Sequence, residues 1–237
     1  MEQSESIPQK IEYDTHAIER EANVLFKPNS GPQTEFLAAP EREVLYGGSA
    51  GGGKSYAMLA DPLRFMGHPA FSGLLLRHTT EELRELISKS QELYPKVWPG
   101  IKWSERKMQW TAPSGARLWM SYLDRDDDVM RYQGLAFSWI GFDELTQWPT
   151  PYAWNYMRSR LRSTAPDLEV YMRATTNPGG PGHQWVKKMF IDPAPYDTSF
   201  AATDIETGEA LKYPAGHSKA GKPLFKRRFI PARLSDN

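Results

Sequence analysis

The sequence predicts an α/β fold in which a mostly parallel sheet carries helices on both faces. Short apolar runs alternate with helical patterns along most of the chain, and this alternation is typical of parallel strands joined by helices. In addition, a glycine-rich loop at Gly48–Ser55 stands between an apolar run and a helical one. Open parallel sheets bind their ligands at such strand-to-helix loops.

The predicted elements follow in chain order. Residues 1–26 are charged and weakly patterned, which predicts an N-terminal arm. The predicted core, residues 27–191, contains a helix from 33, a strand at 43–46, a helix at 55–60, a strand at 73–76, a helix from 79, a hairpin at 103–122, a strand at 137–142, a helix at 153–161 and a strand at 168–174. Residues 192–237 are rich in proline, glycine and polar side chains and predict a loop-rich lid or linker.

Local signals fix the start of one helix and the turn of the hairpin. Thr79 and Glu82 form a capping box, which predicts a helix start. One face of that helix would carry Leu83, Leu86, Ile87 and Ser90. The hairpin would turn at Pro113–Gly115. In its second strand the side chains that point inward would be Leu118, Met120 and Tyr122.

The composition excludes several classes of site. The 237 residues are enough for one large domain, or for one domain with an appendage. The charges of 29 basic and 29 acidic residues cancel, so the net charge is zero and a polyanion would have to be held by a local basic patch. The chain has no cysteine, which excludes disulfides, thiolate metal sites and cysteine nucleophiles. Its polar, acidic N-terminus and the lack of a long apolar run predict a soluble intracellular protein without membrane contact.

The most specific motif is Gly48-Ser49-Ala50-Gly51-Gly52-Gly53-Lys54-Ser55, which fits the phosphate-binding loop G-x-x-x-x-G-K-[ST] at every fixed position. Its glycines let the backbone turn so that successive N–H groups point at phosphate oxygens. Lys54 would add positive charge beside the β- and γ-phosphates of ATP, and the Ser55 hydroxyl would ligate Mg²⁺. A flexible glycine-rich hinge is the alternative, but the flanking strand and helix favour a phosphate site.

Two adjacent carboxylates, Asp143 and Glu144, end the apolar run 137–142. Because parallel sheets bind ligands at the carboxyl ends of their strands, both acids are expected to face the phosphate loop. Asp143 would then bind Mg²⁺, through water or beside Ser55, and Glu144 would be the general base that orients the attacking water. The pair predicts a P-loop NTPase of the additional-strand, catalytic-glutamate type. The alternative is a solvated strand end.

Polar residues at two further places are candidate nucleotide contacts. Thr175, Thr176 and Asn177 end the last predicted strand and could bond the γ-phosphate or the lytic water. Thr-Asn-Pro is also a common turn, which is the alternative. Gln33, upstream of the loop, could read the adenine edge through its amide, and an exposed helical glutamine is an equally good interpretation.

Hydrolysis also needs positive charge on the leaving phosphate, which a finger arginine supplies from the same chain or from a neighbouring subunit. Arg131, before the acidic pair, and Arg158, after it, are assigned this catalytic role, and Arg160 and Arg162 are further candidates. The alternative for each is a solvated or salt-bridged side chain. Lys222 and the basic cluster 226–228 could contact DNA phosphates or be ordinary surface.

Several blocks together resemble the ATPase part of the large terminase subunit, the DNA-packaging motor of tailed bacteriophages. The resembling segments are Arg131–Gly134, Phe142–Thr146, Ser159–Arg162, Thr175–His183 and Phe229–Leu234. The resemblance runs from about Pro28 to the C-terminus, and the order of the blocks is more specific than any one of them.

The resemblance implies roles that agree with those assigned from the residues. Gln33 falls on the family's adenine-recognition glutamine, and Thr175–Asn177 fall on the segment that couples hydrolysis to movement. The resemblance also implies partners: double-stranded DNA, a portal protein, a small terminase subunit that selects the DNA, and a homo-oligomeric ring, pentameric in many members, whose subunits can be monomers alone. The expected location is the host-cell cytoplasm, outside the virion.

The chain departs from the family pattern in two respects. Many terminases carry an arginine or lysine early in the phosphate loop, where this chain has Ser49 and Ala50. The family also continues into a metal-dependent nuclease domain. We therefore expect residues 192–237 to lead to such a domain in a longer protein, and no nuclease activity from this chain.

The sequence thus predicts a magnesium-dependent ATPase that moves double-stranded viral DNA into a procapsid. One alternative is another phosphate-loop enzyme, a helicase or a nucleotide kinase. DNA-stimulated hydrolysis without strand separation or a phosphorylated acceptor would exclude both. Another alternative is a nucleotide-gated assembly module that hardly hydrolyses ATP, which a rate rising with protein concentration would exclude.

Overall fold

The computed structural model describes residues 26–48 and 53–232. Within them, nine strands form one sheet in the order β3-β4-β5-β2-β6-β7-β1-β9-β8. The strands are Glu43–Gly48 (β1), Ser72–Arg77 (β2), Lys102–Ser104 (β3), Gln109–Thr111 (β4), Arg117–Tyr122 (β5), Trp139–Phe142 (β6), Tyr171–Thr176 (β7), Phe200–Ala201 (β8) and Lys226–Ala232 (β9). The predicted N-terminal arm, except Phe26, and the loop residues Ser49, Ala50, Gly51 and Gly52 lie outside the described residues.

The middle of the sheet is parallel. Strands β5, β2, β6, β7, β1 and β9 run in one direction, while β3 and β4 at one edge and β8 at the other pair antiparallel. Strand β7 lies between β1, which leads into the phosphate loop, and β6, which leads into the acidic pair. This inserted strand confirms the predicted mostly parallel sheet of the additional-strand type.

Helices cover both faces of the sheet, as predicted. They are Pro32–Ala38 (α1), Lys54–Ala60 (α2), Thr80–Val97 (α3), Tyr152–Arg158 (α4) and His183–Val186 (α5). Successive strand residues point to opposite faces. Accordingly, Val44 and Tyr46 of β1 pack with α1 to α3, and Leu45 packs with α4 and α5. Among the described residues, no helix has the length and apolar character needed to cross a membrane.

The local signals at α3 and at the hairpin are confirmed. The Thr79 hydroxyl accepts a hydrogen bond from the Glu82 N–H, and the Glu82 carboxylate accepts one from the Thr79 N–H. The residues on the predicted inner face are buried: Leu83, Leu86, Ile87 and Ser90. Strands β4 and β5 form the hairpin around the predicted turn. The first part of the predicted hairpin is a separate short strand, β3, which pairs with β4. Leu118 and Met120 are buried, whereas Tyr122 is half-buried.

The structure differs from the sequence prediction at β9. Residues 192–237 were expected to be a lid or linker, but Lys226–Ala232 pairs with the whole length of β1. Its apolar residues Phe229 and Ile230 are buried on the two faces of the sheet. The charged start of β9 does not look like a buried strand in the sequence. Arg227 can be buried there because it forms an ion pair with Glu43, which is far away in the sequence.

A buried ion cluster ties β9 and α4 to β1. Glu43, the first residue of β1, is 0% exposed and accepts hydrogen bonds from Arg158 and Arg227. Arg227 is 1% exposed and also donates to the carbonyl of Thr203 at 2.7 Å. Burial by itself would raise the pKa of Glu43, but the two guanidinium groups outweigh it and hold that pKa below its usual 4.5. Arg227 therefore is not the exposed DNA contact that the basic cluster suggested.

Candidate active site

Three strands end side by side at one edge of the sheet, and the predicted site residues follow them. β1 ends at Gly48, β6 ends just before Asp143, and β7 ends at Thr176. This edge is the place where an open parallel sheet is expected to bind its ligand. A cavity of about 390 Å³ opens beside it, with Gly48, Thr176 and Asn177 among its walls, whereas Lys54, Asp143 and Glu144 do not line it.

The two described ends of the phosphate loop need glycine. Gly48 has a φ of 138°, and Gly53 has a φ of 65°, in the left-handed region. A side chain at Gly48 would also come within 2.0 Å of the carbonyl oxygen of Ala232. Lys54 begins α2 immediately after the loop and is 6% exposed, and Ser55 beside it is half-buried.

The charges of Glu144 and Asp143 act on Lys54. Burial lowers the pKa of Lys54 below its usual 10.5, and the charges of Glu144 and Asp143 act in the opposite direction. The sequence expectation that the acidic pair faces the phosphate loop therefore agrees with the electrostatics of the folded chain. Lys54 would attract a negatively charged ligand, whereas the two carboxylates would repel it.

Gln33 is buried against the end of the phosphate loop. Its Nε2 donates to the carbonyl of Gly53 at 2.9 Å, and its Oε1 accepts from the Asn29 N–H at 2.6 Å. It is 4% exposed, so the interpretation as an exposed helical glutamine is wrong. In this structure the amide fastens α1 to the loop. Its reading of adenine remains a prediction that requires these bonds to exchange.

Asp143 is fully buried, and its two oxygens have different neighbours. The Thr175 hydroxyl donates to Oδ1, and the same hydroxyl oxygen accepts from the Glu144 N–H at 3.0 Å. Oδ2 lies 3.2 Å from Nη1 of Arg77. Burial raises the pKa of Asp143 above its usual 3.8, and the Arg77 charge and the Thr175 hydrogen bond oppose this.

Arg77 is a site residue that sequence reasoning missed. It ends β2 directly after the buried run Leu74–Leu76, and it is 8% exposed. An arginine that closes an apolar strand was the available signal. Its meaning depends on β2 lying next to β6 in the sheet, which no sequence pattern states.

Glu144 has an unusual backbone and a bound carboxylate. Its φ of 63° and ψ of 55° are left-handed, which costs a non-glycine residue on the order of 1–3 kcal/mol and is found mainly at functional sites. Oε1 accepts from Asn177 Nδ2 at 2.6 Å, and Oε2 accepts from the Asn177 N–H at 3.2 Å. Burial, followed by the charge of Asp143, raises the pKa of Glu144 above its usual 4.5.

Thr176 and Asn177 are hydrogen-bonded to the turn that follows Glu144. The Thr176 hydroxyl donates to Thr146 Oγ1 at 2.9 Å, and the Thr146 hydroxyl donates to the carbonyl of Asn177 at 3.2 Å. A change at Thr176 or Asn177 would therefore move the turn on which Glu144 stands.

The two assigned finger arginines lie far apart, Arg131 beside the end of β5 and Arg158 beside the start of β1. Nη2 of Arg131 donates to the carbonyl of Tyr122 at the end of β5, and 45% of its side chain is exposed. Strand β5 is four positions from β1, which at about 4.8 Å per strand puts Arg131 roughly 19 Å from its own phosphate loop. Arg158 instead pairs with Glu43 at the far end of β1. The assignment of Arg158 as catalytic is therefore wrong, and its role is structural.

The residues present fit a magnesium ion held largely by substrate. The described part of the chain contains no cluster of three or more metal-binding His, Cys, Asp or Glu residues. Asp143 Oδ2 is buried without a hydrogen-bond partner. Magnesium in phosphate-loop sites needs only one or two protein ligands besides phosphate oxygens and water. Ser55 and Asp143 meet that requirement.

A family model now adds to this geometry. The model described as "Terminase large subunit, T4likevirus-type, N-terminal" matches residues 45–216. The chain belongs to this family. Its match spans β1 to β8 and so includes the terminase motifs at the carboxyl edge of the sheet. Among curated proteins, none matches this terminase chain significantly.

Solved structures have the same fold at low sequence identity. The large terminase of a thermophilic bacteriophage aligns with a TM-score of 0.52 and 18% identity, over 69% of this chain and 43% of that one. The complex of the same thermophilic-phage terminase with ATP-gamma-S aligns with a TM-score of 0.55 and 16% identity, over 89% and 46%. A mutant ATPase domain of the Thermus phage P74-26 large terminase aligns with a TM-score of 0.55 and 12% identity, over 89% and 83%. This chain thus spans less than half the length of the thermophilic-phage terminase.

Proposed function

We propose that this terminase chain hydrolyses ATP with Mg²⁺ and that the energy moves double-stranded DNA into a viral procapsid. The observation that carries the proposal is the adjacency of β6, β7 and β1, whose carboxyl ends lead into Asp143 and Glu144, Thr176 and the phosphate loop. Membership of the terminase family and the ATP-gamma-S complex of the thermophilic-phage terminase support ATP as the nucleotide.

Each residue has a separate task in this mechanism. Lys54 neutralises the β- and γ-phosphates, and Ser55 and Asp143 would hold Mg²⁺ beside them. Bound magnesium would supply positive charge to the oxygens of the bond that breaks. Glu144 accepts the proton of the attacking water, and its raised pKa brings it nearer the working pH than an ordinary glutamate.

The bonds of Glu144 support a resting state of the site. Both carboxylate oxygens accept a hydrogen bond from Asn177, so Asn177 competes with water for part of the acceptor capacity of Glu144. Thr176 and Asn177 would then register the loss of the γ-phosphate and pass it to the segment after residue 192. In this way the same contact links the base to the sensor.

The proposed partners are those of a packaging motor. We propose that the chain acts in a ring of identical subunits, pentameric when assembled, on a portal protein in the cytoplasm of the infected cell. A small terminase subunit would select the DNA. The exposed position of Arg131, with Met130 beside it 50% exposed, supports a finger that acts on the neighbouring subunit.

The decisive experiment measures ATP hydrolysis by the purified chain, with and without double-stranded DNA, over a range of protein concentrations. We expect a rate that DNA stimulates and that rises faster than the protein concentration, without strand separation or a phosphorylated acceptor. Strand separation would favour a helicase, and an acceptor would favour a kinase. A negligible rate at every concentration would favour an assembly module.

Lys54→Ala is expected to weaken nucleotide binding itself. Loss of a charged contact to phosphate costs about 1.5–3 kcal/mol, which is roughly a 10- to 100-fold rise in Kd. Calorimetric titration with ATP and Mg²⁺ measures this. Lys102→Ala, which removes an exposed lysine at the start of β3, is the matched control. Equal affinity of the Lys54 variant and the unsubstituted chain would remove Lys54 from the phosphate site.

Arg131→Ala is expected to abolish ATP hydrolysis. Mixing this variant with a second inactive variant, Glu144→Gln, should restore it. A subunit with Arg131→Ala keeps its base, and a subunit with Glu144→Gln keeps its finger. Mixing them puts an intact finger beside an intact base, so the mixture should hydrolyse ATP at least tenfold faster than either variant alone, given the size of finger effects. A mixture as slow as its components would contradict action between subunits.

A further inference from the structure

Arg77 has too few hydrogen bonds for a buried arginine. Its Nε and Nη1 have no hydrogen-bond partner, and neither has Asp143 Oδ2, which lies 3.2 Å from Nη1. The contact between them is thus one of charge with poor direction. Buried Arg173 also has an unpartnered Nε, but its Nη1 and Nη2 donate to the carbonyls of Ala39, Glu41 and Met172. A buried polar group without partners calls for an explanation in function.

The charges around Arg77 are balanced without a metal ion. Asp143 lies against it at the end of β6, and the charge of Arg77 also acts on Glu144 and, most weakly, on Glu85 of α3. The other cations that act on the acidic pair are Lys54 at the start of α2 and Lys89 on α3. A divalent cation beside Asp143 would add two positive charges within a few ångströms of the guanidinium. Like charges repel strongly at that distance in a buried site.

We propose that Arg77 is a positioning residue that holds Asp143 as a substitute cation until the metal ion arrives, and that metal binding displaces it. This proposal rests on the proposed function of the site. Nothing but charge holds the described contact, so the guanidinium can leave Asp143 without breaking hydrogen bonds there.

Displacement explains when the metal would enter. While Arg77 neutralises Asp143, a free divalent cation gains little from the site. The triphosphate brings its own negative charge, which attracts the cation and offsets the loss of the Arg77 contact. Metal and nucleotide would therefore enter together, and the site would stay closed to metal alone.

The test measures binding of Mn²⁺ to the whole chain without nucleotide, from the electron paramagnetic resonance signal of free Mn²⁺. Arg77→Gln is expected to bind Mn²⁺ at least tenfold more tightly than the unsubstituted chain, because the competing charge is gone. Arg77→Lys keeps the charge and should bind as weakly as the unsubstituted chain. Arg117→Gln removes an exposed arginine at the start of the neighbouring strand β5 and should change nothing.

Further outcomes decide the proposal. The double variant Arg77→Gln with Asp143→Asn should lose the gain, which ties it to that carboxylate. Unchanged or weaker Mn²⁺ binding by folded Arg77→Gln would overturn the proposal, since a merely supporting arginine predicts that sign. If Arg77→Gln does not fold, Arg77→Met replaces it, and failure of both to fold would also overturn it. The readout uses no ATP, so it stands apart from failure of the proposed hydrolysis.

Discussion

Replacing Glu144 by glutamine is expected to leave ATP binding intact and to lower the hydrolysis rate by about 10²- to 10⁴-fold, the usual contribution of a general base. Glutamine keeps the shape of the side chain and can still accept the hydrogen bond from the Asn177 N–H. It cannot accept the proton of the attacking water. The loss should therefore fall on the chemical step and spare the affinity for nucleotide.

The measurement combines steady-state ATPase rates with calorimetric titration of ATP on the same preparations. Glu169→Gln, which changes an exposed acid before β7, is the control and should retain both rate and affinity. A Glu144→Gln variant that hydrolyses ATP at nearly the normal rate would assign the base to another residue. A variant with lost affinity would instead assign Glu144 to binding.

Glu43→Gln should cause the largest loss of stability among the changes considered. It leaves Arg158 and Arg227 with their charges beside a neutral amide, and breaking a buried ion pair on one side costs about 3–5 kcal/mol. For a chain of this size, roughly 2–4 °C of Tm is lost per kcal/mol. Differential scanning calorimetry should thus record a fall in Tm on the order of 10 °C.

An exposed pair on α3 gives the matched control for Glu43. Glu85 and Lys89 are four residues apart, and the Glu85 side chain is 62% exposed. Such pairs contribute less than about 0.5 kcal/mol, so Glu85→Gln should hardly shift Tm. Equal shifts for the two variants would mean that the cluster around Glu43 adds nothing to stability.

The effect of Glu43 should also depend on pH with a defined sign. Its folded pKa lies below the unfolded value of about 4.5, so its charge stabilises the fold fully above that value. This contribution disappears as pH falls through the folded pKa. The difference in unfolding free energy between Glu43→Gln and the unsubstituted chain should therefore be constant near neutral pH and narrow below about pH 4.5.

The parts of the fold that the sequence predicted are those that local chemistry decides. Three of these signals each lie within a few residues: the Thr79 capping box, the turn at Pro113–Gly115 and the phosphate-loop motif. The parallel α/β sheet was predicted from the alternation of apolar runs with helical patterns. The acidic pair was found because two carboxylates after an apolar run can be seen in the sequence. The structure brings it to the same edge as Lys54.

What the sequence could not predict depends on which strands become neighbours. Arg77 faces Asp143 because β2 pairs with β6, and Arg158 pairs with Glu43 because the end of α4 comes close to the start of β1. These pairs are separated by 66 and 115 positions. β9 was missed for the same reason, since its arginine is neutralised by a residue 184 positions away.

The pairing of β9 with β1 has a mechanical consequence. Six residue pairs join the two strands in parallel, and the last of them sets Ala232 against Gly48, the first residue of the phosphate loop. A tug along one strand loads all of these bonds in shear at once, which is the stiffest way to connect two segments. A force that acts on β1 at Gly48 would therefore be shared with β9 through all six pairs.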